Sequence, residues 1–169
     1  YQVLKLLVFC ITRIFYSKFT VIHKERLSFK NPAIIVSNHP STLMDPFNTA
    51  VNIPKQVSFL ANAGLFQNPI LGGILNLYCI PIERPKDVGG RRIQNDKNFA
   101  RADEHLLRGR CIYIAPEGTS VVERRVRKVK TGTARIALSA ESKNDFKLGV
   151  TIIPTGLNYT APLKFQEEV

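Results

Sequence analysis

From Tyr1 to Lys18 the chain is mostly apolar, and its polar positions gather. At 100° per residue Gln2, Lys5, Thr12, Arg13 and Ser17 share one side of a helix, while Leu, Val, Ile and Phe cover the rest. The uncharged run from Leu6 to Thr12 is far shorter than the ~20 apolar residues a spanning helix needs. The pattern predicts an amphipathic helix over 1–18 with a wide apolar face and basic edges, suited to lying in a lipid headgroup layer. Two other readings fit the same pattern: a helix docked on the protein's own core, and the end of a membrane segment that begins upstream. No signal-peptide cleavage pattern follows.

Beyond it the periodicity alternates. "FTVIHKERLSF" (19–29) predicts a strand or hairpin arm. "NPAIIVSN" (31–38) is a short β-branched run of the kind buried in a sheet, and a helix follows from about Asp45 to Asn52. "KQVSFLAN" (55–62) predicts a strand, "NPILGGILNLYCIPIER" (68–84) a short Gly-broken helix passing into a strand, and 85–90 a loop. Residues 91–109 have helical spacing with a glycine stop at 109. "RCIYIAPEG" is a strand ending at Pro116, 130–142 a helix, and "LGVTIIPTGLNYT" a final strand. Short continuous apolar strands alternating with helices predict an α/β fold, a mostly parallel central sheet flanked by helices. Ligands in such sheets bind beyond the strands' carboxyl ends. Four turns fall there: "NHPSTLMD", "IPIERPKD", "APEGTS" and "IIPTG".

Composition adds one strong constraint. In 169 residues, 24 Lys and Arg face 13 acids, a formal charge of +11. Such a field draws anions: nucleic acid, an anionic membrane or phosphorylated substrates. Nucleic acid is disfavoured, because aromatics do not interleave with the basic run and no motif of that class occurs. The length suits one domain. Cys10, Cys79 and Cys111 lie in apolar runs, as buried free thiols do, and their odd number argues against a disulfide framework or a zinc site.

The four turns carry the candidate chemistry. His39 follows a buried strand and can accept and return a proton near neutral pH. Asp45 is the nearest carboxylate able to hold its other ring nitrogen, although it also sits where it would cap a helix. Ser41 is a possible nucleophile, but there is no nucleophile elbow, so a substrate hydroxyl or water is the better attacker. Arg84 ends a strand, a place suited to bidentate phosphate binding. Gly118 allows close backbone approach, Glu117 offers an acceptor to a polyol, and Thr119 a donor or acceptor. Five cations follow in seven positions (Arg124, Arg125, Arg127, Lys128 and Lys130), a phosphate-binding or membrane-facing stretch, or a solvated charge run. Lys130 lies beside a helix start, where backbone amides add to an anion site.

Taken together, these blocks resemble the glycerolipid acyltransferase superfamily of 1-acyl-glycerol-3-phosphate and glycerol-3-phosphate acyltransferases. "NHPSTLMDP", "IPIERP", "APEGTS" and "TIIPTGL" match its four blocks in order, and "KTG" at 130–132 its following Lys and Gly. Two departures stand out. Five residues separate His39 from Asp45 where the family usually has four, a longer gap shared by the yeast-type glycerol-3-phosphate/dihydroxyacetone-phosphate branch. Ser120 stands where an arginine usually follows the threonine, a charge that Arg124 or Arg125 would supply. The resemblance implies an acyltransferase domain over 19–169 that continues past the C-terminus. His39 would be the general base, oriented by Asp45, and Arg84, Glu117, Gly118, Thr119 and Lys130 would hold the glycerol-phosphate acceptor. The acyl donor would be acyl-CoA or acyl-carrier protein, with no cofactor, metal or nucleic acid. The place of action would be the cytoplasmic face of an anionic phospholipid membrane. An idle lipid-binding protein of the same fold is the alternative. Acceptor, chain length, donor carrier and oligomeric state stay open.

Overall fold

The computed structural model describes residues 1–83, 96–123, 125–161 and 164–169. Its centre is a five-stranded sheet in the order β4-β3-β5-β2-β6, every pair parallel. The strands are β2 (Ala33–Ser37), β3 (Val57–Asn62), β4 (Cys79–Ile82), β5 (Cys111–Ile114) and β6 (Thr151–Thr155). Helices α2 (Met44–Ala50), α3 (Pro69–Tyr78), α4 (Asp96–Leu107) and α5 (Gly132–Ser142) join them. The expected α/β architecture is present, and all strands put their carboxyl ends on one edge.

The apolar runs are continuous because the central strands are buried on both faces. In β2, Ala33 and Ile35 pack on one face with Ala50 and Ile53, while Ile34 turns to the other, against Ala102 and Leu106 of α4 and Ile136 and Ala140 of α5. In β5, Cys111 and Tyr113 share the first cluster, and Ile112 and Ile114 the second. Register aligns Ile34 with both Ile112 and Ile152. Ile34 and Ile112 are fully buried, each contributing about 1.5–3 kcal/mol. Pro81 and Pro154 lie in β4 and β6, the two edge strands, where a missing amide leaves no ladder bond unmade on the outer side.

Three expectations change. Residues 19–29 form no strand; Lys24–Leu27 is a 3-10 turn entered through His23 at φ 58°, with charged side chains on the surface. The "GG" does not break α3: a Cβ on Gly72 would lie 2.5 Å from the Phe66 carbonyl oxygen, so the glycine serves close packing of the preceding turn. The final strand is not β6, because β7 (Glu167–Glu168) pairs in parallel with β1 (Tyr16–Lys18) as a separate small sheet. Helix α1 therefore ends at Phe15 rather than Lys18.

Helix α1 (Gln2–Phe15) is inverted relative to a water-facing helix. Lys5 and Thr12 point at the protein: the Lys5 ammonium donates to the Ile53 carbonyl, burial lowering its pKa, and Thr12 is buried with its hydroxyl on Phe9 O at 2.8 Å. Val3 (84% exposed), Leu6, Leu7, Ile11 and Ile14 point away. Cys10 is also exposed, unlike the expected buried thiol, while Cys111 is buried. Among the described residues no helix is long and apolar enough to cross a membrane.

Candidate active site

His39 stands in the loop just past the end of β2, and Asp45 lies in the first turn of α2. The loop closes as one tight turn, with Asp45 N–H donating to Ser41 O at 3.1 Å. This turn brings Asp45 Oδ2 to 2.8 Å from His39 Nδ1. Asp45 is wholly buried, whereas the His39 side chain keeps 17% of its surface. A buried carboxylate requires donors, so it assigns the proton to Nδ1 and leaves Nε2 with a lone pair. That is the tautomer of a general base.

Asp45 does not cap α2, since its carboxylate looks back upstream. The Ser41 amide donates to Oδ2 at 2.8 Å, and the Tyr159 hydroxyl to Oδ1 at 2.7 Å. Ser41, the candidate nucleophile, is buried, and its backbone amide is what meets Asp45.

The third turn folds against the first. Val121 N–H donates to His39 O at 3.1 Å, tying the loop after Thr119 and Ser120 to the histidine backbone. Lys130 N–H donates to Pro116 O at 3.0 Å, folding the basic stretch back over Pro116–Gly118. Gly118 adopts φ 75°, and a Cβ there would lie 2.5 Å from Lys130 Nζ. Glu117 is buried, and its Oε1 meets no donor among the described residues. A buried acceptor with no described partner is free to meet a ligand donor. It lines an open cleft of about 320 Å³ with Ser37, Asn38, Val126, Val129 and Thr155. Thr155 Oγ1 is a second buried atom there without a described partner.

Five of the expected site residues, His39, Asp45, Glu117, Gly118 and Lys130, thus gather at one sheet edge, and Thr119 lies in the loop bonded to His39. Arg84 and Arg124 lie outside the described residues. Arg125 is engaged on the surface with Glu123 at 2.8 Å.

Three residues escaped the sequence reading. Asn38 pairs with the Leu157 backbone through both ends of its amide, at 2.8 and 2.7 Å. Tyr159 holds Asp45, and Asn48 Nδ2 donates to the Tyr159 hydroxyl at 3.0 Å. The available signal was the alternation of "GLNYT", in which Leu157 and Tyr159 are both buried.

The Acyltransferase family model matches residues 18–158. The chain is 29% identical over 137 residues to the chloroplastic 1-acyl-sn-glycerol-3-phosphate acyltransferase LPAT1 of Arabidopsis thaliana, covering 80% of this chain and 34% of that protein. Over 68 residues it is 38% identical to glycerol-3-phosphate O-acyltransferase 1 of Saccharomyces cerevisiae, covering 40% of this chain and 9% of the yeast protein. It thus spans at most about a third of these relatives' lengths. Its fold is like that in the crystal structure of the 1-acyl-sn-glycerophosphate acyltransferase PlsC from Thermotoga maritima. The TM-score is 0.56 at 18% identity, covering 87% of this chain and 62% of the other.

Proposed function

Because this chain belongs to the Acyltransferase family, we propose that it moves a fatty acyl group from acyl-CoA or acyl-carrier protein to a hydroxyl of a glycerol-phosphate-type acceptor, lysophosphatidate or glycerol-3-phosphate. The observation that carries this reading is the 2.8 Å contact between His39 and a fully buried Asp45. His39 Nε2 takes the acceptor's hydroxyl proton as its oxygen bonds to the thioester carbonyl carbon. Asp45 stabilises the imidazolium. The tetrahedral centre then expels the thiolate, which takes the proton back from His39. General-base assistance of this kind contributes about 10²–10⁴-fold. Glu117 accepts from acceptor hydroxyls, while Lys130, seated on Gly118, supplies charge for the phosphate, together with Arg84 and with Thr119 as a further polar contact. The relatives named for lysophosphatidate and glycerol-3-phosphate acylation support this acceptor class.

The same reading places the protein on the cytoplasmic face of a membrane. Helix α1 supports it, turning Lys5 and Thr12 to the protein and Val3, Leu6, Leu7, Ile11 and Ile14 outward. The +11 charge supports it too, since anionic lipid concentrates on cytoplasmic leaflets. The test is transfer of labelled acyl groups from acyl-CoA and acyl-carrier protein, with glycerol-3-phosphate and lysophosphatidate offered separately. One acceptor should be acylated, and His39→Ala should lose about 10²–10⁴-fold in kcat/KM. Full activity in that variant would remove His39 as the base.

A further inference from the structure

A carboxylate with no exposed surface stays ionised only if donors surround it. Asp45 Oδ2 has two, His39 Nδ1–H and Ser41 N–H, both from its own loop. Oδ1 receives its bond from a residue 114 positions away, the Tyr159 hydroxyl at 2.7 Å. Tyr159 is itself buried, fixed by Asn48 Nδ2 on its oxygen and by the tilted ring of Tyr16, whose centre lies 6.0 Å away. It sits two residues past Leu157, whose backbone Asn38 grips. We propose that Tyr159, steadied by Asn48, is a positioning residue that fixes the rotamer and charge of Asp45 and through it the base His39. This inference rests on the general-base reading above.

Three phenols face this carboxylate: Tyr16 from β1, Tyr113 from β5 and Tyr159 from beyond β6. Burial, then the Asp45 charge, pushes the Tyr159 phenol far above its ordinary range, so it is a permanent donor. The other two are also raised, by burial first. Neither substitutes for it. Tyr113 bonds Ser37 Oγ at 2.6 Å, and the buried Tyr16 hydroxyl lies near Asn48 and Tyr159 without completing a bond. Glu117 is the further charge near Tyr113.

Removing the Tyr159 hydroxyl takes away the described donor to Oδ1 and concentrates charge on the carboxylate. Whether the next proton goes to His39 or to Asp45, the pair takes it up at higher pH. Tyr159→Phe should therefore lower kcat about 10–100-fold with both KM values within about 2-fold, and move the acid limb of the pH–kcat/KM profile upward. Asn48→Ala, which weakens the same donor, should move it in the same direction by less, and serves if Tyr159→Phe folds poorly. Tyr16→Phe, which removes a neighbouring hydroxyl not bonded to Asp45, should leave the limb in place. Histidine ¹⁵N titration of His39 reads the same displacement without turnover. Profiles of Tyr159→Phe and Asn48→Ala that superimpose on the parent, with His39→Ala inactive, would reduce Tyr159 to packing. Undiminished turnover in His39→Ala would remove the base itself, and the inference with it.

Discussion

Gly118 and Lys130 occupy one place: the Cβ that glycine lacks would sit 2.5 Å from the lysine ammonium nitrogen and 3.3 Å or less from its last two methylenes. The turn's φ of 75° also favours glycine. Gly118→Ala should displace Lys130 and add roughly 1–2 kcal/mol of backbone strain. The expected result is a rise in the KM for the phosphorylated acceptor larger than any fall in kcat, with a small loss of stability. An unchanged acceptor KM would take Lys130 out of the phosphate site.

Asn38 fastens the segment that carries Tyr159. Asn38→Ala leaves both the amide and the carbonyl of the buried Leu157 unpaired, a cost of about 1–3 kcal/mol. Urea unfolding should show that loss, and activity should fall with it as Tyr159 drifts from Asp45. Full stability in the variant would mean that solvent satisfies Leu157.

Helix α1 should bind anionic vesicles. Val3, Leu7, Cys10 and Ile14 follow heptad spacing on its outward side. Leu7→Glu with Ile14→Glu should abolish flotation with phosphatidylglycerol-containing vesicles, and added salt should weaken the parent's binding. Cys10 gives a second readout. Burial pushes the Cys79 and Cys111 thiols to about 11, so near neutral pH they hold almost no reactive thiolate. A maleimide should label Cys10 first, and vesicles should protect it. Equal labelling with and without vesicles would contradict lipid contact on this face.

Acid should weaken the fold through His105. Its Nδ1 meets Ser58 Oγ at 2.9 Å, and burial, followed by Arg110, Arg101 and Arg108, lowers its pKa below the ordinary 6.5. The unfolded chain then binds a proton that the folded one refuses, so stability falls as pH drops below about 6.5. His105→Asn should flatten that part of the stability curve. A slope identical to the parent's would assign it to other groups.

The sheet was legible because β2, β3 and β5 are buried runs whose residues could belong nowhere else. The His39–Asp45 pair was legible because five intervening residues allow one closed turn. Residues 19–29 misled because β-branched content imitates a strand, while the fold leaves them outside both sheets. Tyr159 was hidden for a different reason. Its role depends on Asn38 and Asn48, 121 and 111 positions away in sequence, and on a carboxylate whose second oxygen faces inward, relations that no local pattern expresses. The inverted polarity of α1 was half visible: periodicity separates its two faces, but only packing tells which one meets the protein.

Helix α1 also has a direction. The hydroxyl of Tyr1, just before its first residue, accepts from Val57 N–H at the amino end of β3, at 3.2 Å, and its far end delivers Tyr16 to Tyr159 at the opposite edge of the sheet. The helix runs along the strands for about 21 Å. With α1 in lipid, as proposed, the strands would lie along the membrane plane and the sheet edge that carries His39 would face sideways. On the proposed function, a lysolipid acceptor would then approach His39 by lateral diffusion, its tail still in the bilayer.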